Sequence, residues 1–400
     1  MTQSTERASA HPLDQVSLGK IVQIRERLLA AQAQGRTVFR FESGDPSFPP
    51  SPHVVDALLA AAYAGRTHYV PNNGIPELRR ALAQKVVVKN GIAGVRDEDI
   101  FVTNGAMHAL FATFSALLVA GDQVIIPDPM WTEVAENIRL AGGVTVGVNL
   151  GRENRYAYRP EEIEAAITPR TVAIFLNTPH NPTGAVIPRD VLLEIVDIAE
   201  RHDLWIVSDE AYEDVVFAPN SHVSVGALAG AHADRVITIF SFSKSHAMSG
   251  LRTGYIVTRD PLLRSRLPKL LRCTINGVNS LSQWAGLAAL SGGDEYAEMM
   301  RAEYRTRRDL MMDALRDIPG LRPVEPAGAF FIWCELDSSL YERLEVRDAD
   351  ALSASLAEQG IGSAPGDAFG ITCTDALRFS FSCDTEMVRA GAAALREALL

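Results

Sequence analysis

Between about Phe48 and Leu290 the chain alternates short apolar runs with helical stretches, and no other feature restricts the possible folds as much. The clearest runs are Gln123–Pro127, Gly143–Asn149, Val172–Asn177, Leu204–Ser208, Val236–Ser241 and Tyr255–Thr258. Strands that alternate with helices read as an α/β sheet covered on both faces. A helix is expected over residues 17–34, with Ile21, Ile24, Leu28 and Leu29 on one face, after a loose arm of about fifteen residues. Beyond this region, a helical stretch from Gly293 to Ile318 leads toward a smaller α+β unit. That unit is expected to hold strands Phe330–Leu336 and Leu377–Ser382 and a helix near Asp348–Gln359.

Three of the apolar runs end in polar residues capable of chemistry. After Val172–Leu176 comes Asn177-Thr178-Pro179-His180-Asn181-Pro182-Thr183-Gly184, where Asn-Pro and Thr-Gly make a rigid turn that fixes an amide side chain. The run Leu204–Ser208 delivers Asp209, and Tyr212 follows three residues later. The run Arg235–Phe240 leads into Ser241-Phe242-Ser243-Lys244, with Arg252 eight residues beyond the lysine. Burial and a neighbouring cation lower a lysine's pKa and free its lone pair for attack on a carbonyl. The serines and Arg252 are suited to holding a phosphate.

In order and wording, these motifs resemble the class I/II aminotransferases, pyridoxal-phosphate enzymes of fold type I, and the resemblance runs from about Val38 to the C-terminus. It implies a large domain with a mostly parallel seven-stranded sheet between helices, and a smaller α+β domain. The expected boundaries are 1–47 for an N-terminal arm and helix packing with the small domain, 48–290 for the cofactor domain, and 291–400 for the small domain.

The resemblance also implies site residues. Lys244 would carry pyridoxal 5'-phosphate as an imine and later move the proton at the substrate α-carbon. Asp209 would pair with the cofactor's ring nitrogen, Asn181 and Tyr212 with its ring oxygen, and Trp131 would stack on the ring. Gly105, Ala106 and Met107 lead into an apolar helix expected over Ala109–Ala120, and helix-terminal amides are a ready phosphate cradle. Ser241, Ser243 and Arg252 would complete that cradle, with Tyr69 reaching it from a second copy in a homodimer. Arg378, an arginine on an apolar strand, would fork onto the substrate α-carboxylate beside Gly44 and Asn181.

The activity implied is transfer of an amino group from an L-α-amino acid to a 2-oxo acid by a ping-pong cycle. Some bacterial aspartate aminotransferases of this subgroup carry a lysine at the position of Met107; its absence weakens a strict aspartate reading, although dual-specificity enzymes use a mobile arginine or a polar network instead. An apolar or aromatic donor is expected, with 2-oxoglutarate or pyruvate as acceptor. Other α-carbanion reactions (β-elimination, oxidation, cyclisation) use the same cofactor motifs. Composition narrows the partners. A net charge of −11 argues against nucleic acid. The residues before Gly44 show no basic helix-turn-helix pattern of a DNA-binding regulator. Cys273, Cys334, Cys373 and Cys383 form no Cys-x-x-Cys pair and no zinc spacing, which fits a reducing cytoplasm. The N-terminal residues hold no apolar signal core, and no run approaches the ~20 apolar residues of a membrane span.

Overall fold

The computed structural model describes residues 12–400 and contains two sheets. The larger is built from β1 (Ile100–Thr103), β2 (Gln123–Asp128), β3 (Val144–Asn149), β4 (Thr171–Asn177), β5 (Trp205–Asp209), β6 (Val236–Ser241) and β7 (Gly254–Val257). Their spatial order is β1-β7-β6-β5-β4-β2-β3, and neighbours are parallel except where β7 pairs with β1 and β6. The fold is thus α/β with a mostly parallel seven-stranded sheet. All six expected strands end within one residue of their predicted limits. β1 was not among the expected strands.

Side-chain alternation along these strands divides the core. Ile125, Ile174 and Ile206 point to one face, against Leu192 and Ile195 of the helix Arg189–Arg201. Val124, Ile126, Ala173, Phe175 and Val207 point to the other, against the helices Gly105–Leu117 and Pro261–Thr274. The first of these helices begins four residues before its expected start and ends three before its expected end.

The helix Glu295–Leu315 connects to a four-stranded antiparallel sheet of β8 (Leu321–Val324), β9 (Phe331–Leu336), β10 (Ala364–Pro365) and β11 (Ala376–Ser380), in the order β10-β11-β9-β8. The helix Ala349–Glu358 packs on the helix Lys20–Ala33. Ile24, Leu28 and Ala31 form the buried seam of the latter, with Val38 and Ala357. Leu29, expected on that face, is 45% exposed, because it stands about 100° round the helix from Leu28. The predicted loose arm lies largely outside the described residues, and Pro12–Gln15 form one short 3-10 turn.

One consequence of topology positions the site. Because β7 runs antiparallel, its first residue, Gly254, pairs with Thr103 and Ser241, the last residues of β1 and β6. The chain entering β7 therefore arrives at the edge where β1 and β6 leave, and brings Arg252 with it. Gly254 is needed there for space. A Cβ would meet Ala106 N and Gly105 C at 2.8 Å and Phe240 O at 2.9 Å, all backbone atoms with little freedom to move. Gly254→Ala is expected to cost roughly 1–3 kcal/mol, measured by chemical unfolding of the cofactor-free protein. Wild-type stability in that variant would refute so close an approach.

Candidate active site

The carboxyl ends of β4 and β5 finish side by side, with Asn177 opposite Asp209 in register. Asn177 fastens both motifs: its Nδ2 donates to the Asp209 carbonyl at 3.0 Å, and its Oδ1 accepts from Asn181 N at 2.9 Å. The turn that follows is anchored at Gly184, where φ is +72° and a Cβ would lie 2.3 Å from Pro326 Cβ. The Gly184 carbonyl accepts from Ala327 N and Gly328 N, both at 2.9 Å, so the turn is tied to the segment that leads into β9. At the end of β6, Ser241 Oγ accepts from Ser243 N at 3.2 Å and caps the single helical turn Phe242–Ser245 that carries Lys244.

Of the predicted site residues, all but Gly105 and Tyr69 line one cavity of about 300 Å³. Gly105 lies just behind it at φ +79°, where a Cβ would sit 2.6 Å from an Arg252 guanidinium nitrogen. A bare glycine at the helix start thus lets the guanidinium lie against the turn. Arg252 itself adopts a left-handed conformation (φ +51°), unfavourable for a non-glycine residue and often found where position matters. Tyr69 stands apart, 92% exposed. The cavity also includes Ser43, Asp45, Leu110, Asn177 and Ala211, none of them predicted. Asn177 was findable as the strand-end amide of its motif. Leu110 and Ala211 carry no sequence signal beyond their apolar character.

Three cations share this cavity, and their hydrogen-bond partners are neutral oxygens. Lys244 Nζ donates to Gly44 O at 2.6 Å, and Arg252 Nη1 donates to Ser249 O at 2.8 Å. Arg378 donates to Asn181 Oδ1 at 3.0 Å and Glu42 O at 2.6 Å, while its buried Nε has no partner. The Arg378 guanidinium is 1% exposed and lies 4.3 Å from the Phe331 ring centroid. Burial pulls its pKa down to about 10. A buried cation without a counter-charge is strongly unfavourable, so the arrangement suits an anionic ligand.

Lys244 and Asp209 keep partial exposure into the cavity. Burial lowers the Lys244 amine to about 8, with Arg252 and Arg378 adding to the effect and Asp45 and Asp209 opposing it. Burial raises Asp209 to about 6, against the hydrogen bond from Ala211 N at 3.1 Å and the charge of Lys244, while Glu210 adds to the rise. Tyr212 is packed edge-on to Phe330 and Phe331, and burial pushes its phenol well up. His180 is fully buried, with Nδ1 2.7 Å from Thr183 Oγ1, and burial lowers its pKa to about 3, so it serves as a neutral part of the turn. His108, a helix residue, meets Asn104 N and Thr274 Oγ1.

These residues fit a phosphorylated aldehyde cofactor. A helix start and Arg252 provide an anion cradle, Lys244 an amine with a lowered pKa, and Asp209 a carboxyl whose environment leaves it short of a cationic partner. Among the described residues, no cluster of His, Cys, Asp and Glu could hold a metal ion, and no helix is long and apolar enough to cross a membrane.

Comparison with known proteins agrees with this geometry. Residues 36–395 match the family model for aminotransferase class I and II. The aspartate aminotransferase of Musicola paradisiaca is 33% identical over 98% of this chain and 97% of its own length. The aspartate/prephenate aminotransferase of Thermus thermophilus and the arginine–pyruvate transaminase of Pseudomonas aeruginosa are each 36% identical, over 92% of this chain and 92% and 91% of their own lengths. Among solved structures, the Thermus thermophilus aspartate aminotransferase with maleate superimposes with a TM-score of 0.90 at 33% identity, covering 97% of this chain and 98% of that one. The chain belongs to the class I and II aminotransferases and is a pyridoxal-phosphate-dependent transaminase.

Proposed function

We propose that the donor of this transaminase is an L-α-amino acid whose side chain has an apolar stem rather than a short second carboxylate. The observation that carries this is the make-up of the cavity. Its three cations have positions that suit other tasks, and Met107, Leu110, Trp131 and Phe331 supply apolar surface among the lining residues. An acidic side chain placed against that wall would lose its hydration without gaining a partner. The relatives are aspartate, aspartate/prephenate and arginine–pyruvate aminotransferases, so their amino donors are not all of one type.

Within this reading, Arg378 receives the α-carboxylate, its partnerless Nε and ordered guanidinium supplying the fork. Arg252, Ser241, Ser243 and the amides at Gly105, Ala106 and Met107 would hold the phosphate, and Trp131 would cover the ring. Asn181 and Tyr212 would serve the ring oxygen. Asp209 holds a proton at the ring nitrogen. Pyridoxal phosphate, when bound, supplies a ring that accepts the electron pair released at the substrate α-carbon. The Lys244 amine takes the proton from that carbon and returns it on the cofactor side, and a pKa near 8 leaves an appreciable fraction in the basic form. Exposed Tyr69 would complete the phosphate site of a second copy in a homodimer. The four unpaired thiols fit a reducing, cytoplasmic setting. The two sheets support a division near residue 290, with the helix Lys20–Ala33 grouped with the smaller part through its packing on the helix Ala349–Glu358.

Lys244→Ala should still take up pyridoxal phosphate non-covalently but lose turnover by at least ~1,000-fold, as measured in single-turnover assays. Near-normal turnover would remove Lys244 from its role. Arg378→Leu should lower kcat/KM for amino acids by the equivalent of roughly 2–5 kcal/mol while leaving the cofactor absorbance band in place. A fall in thermal stability alone would make Arg378 a structural residue. Asp209 gives a pH test in the cofactor-free protein. Its folded pKa of about 6 lies above the ordinary 3.8, so the folded state binds the proton more tightly. The resulting stabilisation is present below pH 3.8 and is lost as pH rises through about 6. Asp209→Asn should therefore raise the neutral-pH unfolding midpoint of the cofactor-free protein, by at most about 3 kcal/mol in stability, and flatten its pH dependence. An unchanged midpoint and profile would contradict this electrostatic account.

A further inference from the structure

The segment that carries Asp209 and Tyr212 continues into two acids that the active cavity does not use. Glu213 and Asp214 follow Tyr212 directly, and neither lines that cavity. Each meets a lysine at the end of the helix Pro76–Val88. Lys85 Nζ lies 2.5 Å from Glu213 Oε1, and Asn90 Nδ2 donates to the other oxygen of the same carboxylate at 2.6 Å. Lys89, just past the helix, has its Nζ 2.6 Å from Asp214 Oδ1. The Lys85 and Glu213 side chains are only 12% and 6% exposed. Taking two charges out of water cancels much of what their attraction returns, so such a pair is a poor source of stability. What it fixes is position.

Three relations show what is held. Lys85 Nζ also stands 4.1 Å from the centroid of the Phe240 ring, and Phe240 immediately precedes Ser241, the last residue of β6. One ammonium therefore touches both the strand that leads to Lys244 and the segment that carries Tyr212. On its other side this segment is bonded to residues that precede β9: Ala329 N donates to Val215 O at 2.8 Å, and Phe217 N to Ala327 O at 2.9 Å. Within the segment, Glu213 N donates to Glu210 O at 3.0 Å and Val215 N to Tyr212 O at 2.8 Å. A shift of Glu213 would thus be passed to Tyr212 through consecutive turns.

We infer that the Lys85–Glu213 pair is a positioning device for the active site: it ties the Tyr212 segment to the end of β6 and so sets how well the Tyr212 hydroxyl reaches the cofactor's ring oxygen. Lys85 and Glu213 are positioning residues and line no part of the active cavity. This rests on the role proposed above for Tyr212. A donor on the ring oxygen favours the form in which that oxygen is negative and the Lys244 nitrogen has lost its proton. Good contact therefore keeps low the pH at which the absorbance band of the bound cofactor changes.

The test is that pH midpoint, read by absorbance on the holoenzyme. Tyr212→Phe should raise it, and Glu213→Gln and Lys85→Met should each raise it by roughly 0.5–1 pH unit. Charge alone predicts a different pattern: losing the Glu213 charge would lower the midpoint, and losing the Lys85 charge would raise it. Opposite shifts in the two variants, or none, overturn the positioning role. Asp45, Asp209, Arg252 and Arg378, the charges that act on Lys244, are the same in every variant. The double variant Lys85→Met/Glu213→Gln leaves neither charge unpaired, so it serves even where a single variant folds poorly. It too should raise the midpoint, and a wild-type value there overturns the role of the pair alone. An unmoved midpoint in Tyr212→Phe overturns the ring-oxygen reading, and this proposal with it.

Discussion

Most of this molecule's chemistry depends on the register of three parallel strands. β4, β5 and β6 end close together, which sets Asn177 beside Asp209 and brings Ser241 to the same edge. In a parallel sheet every strand points the same way, so every exit loop opens onto one crevice. The antiparallel β7 extends that logic by delivering Arg252 at its start. A one-residue slip in any of these pairings would turn each strand-end side chain to the opposite face. The site is therefore a property of the sheet first and of the loops second.

The second governing constraint is electrostatic. Lys244, Arg252 and Arg378 line one cavity, and their direct partners are neutral oxygens. Arg378 thus keeps a buried positive charge whose direct partners are neutral, and together with Lys244 and Arg252 it suits two anionic groups, a phosphate and a carboxylate. The same burial that makes the arrangement unfavourable when empty also lowers Lys244 to about 8 and raises Asp209 to about 6. Stability is given up locally in exchange for groups whose protonation is matched to proton transfer near neutral pH.

Legibility from sequence followed physical range. Strand cores such as Val236–Ser241 were readable because β-branched, fully buried runs leave a strong local signal. Lys244, Asp209 and Asn181 were readable because each follows its own strand within a few residues. Other features were not. Leu29 obeyed a narrower seam than its apolar character suggested, and Leu110 and Ala211 enter the cavity with only their apolar character to mark them. Asn177 looked like the edge of a motif until its amide was found tying Asp209 to Asn181.

The sequence by itself determined the fold class and the cofactor and pointed to the candidate groups around it, because these readings depend on short-range patterns: apolar period, strand-end polar residues and turn chemistry. Only the tertiary structure decided which of those groups meet. Arg378 comes from the second sheet, yet it donates to Asn181 in the turn that follows β4 of the first and to the carbonyl of Glu42 near the N-terminus. Contacts of that kind span tens to hundreds of residues, and local preference carries no information about them. They are set by how the two sheets and the helices between them exclude water.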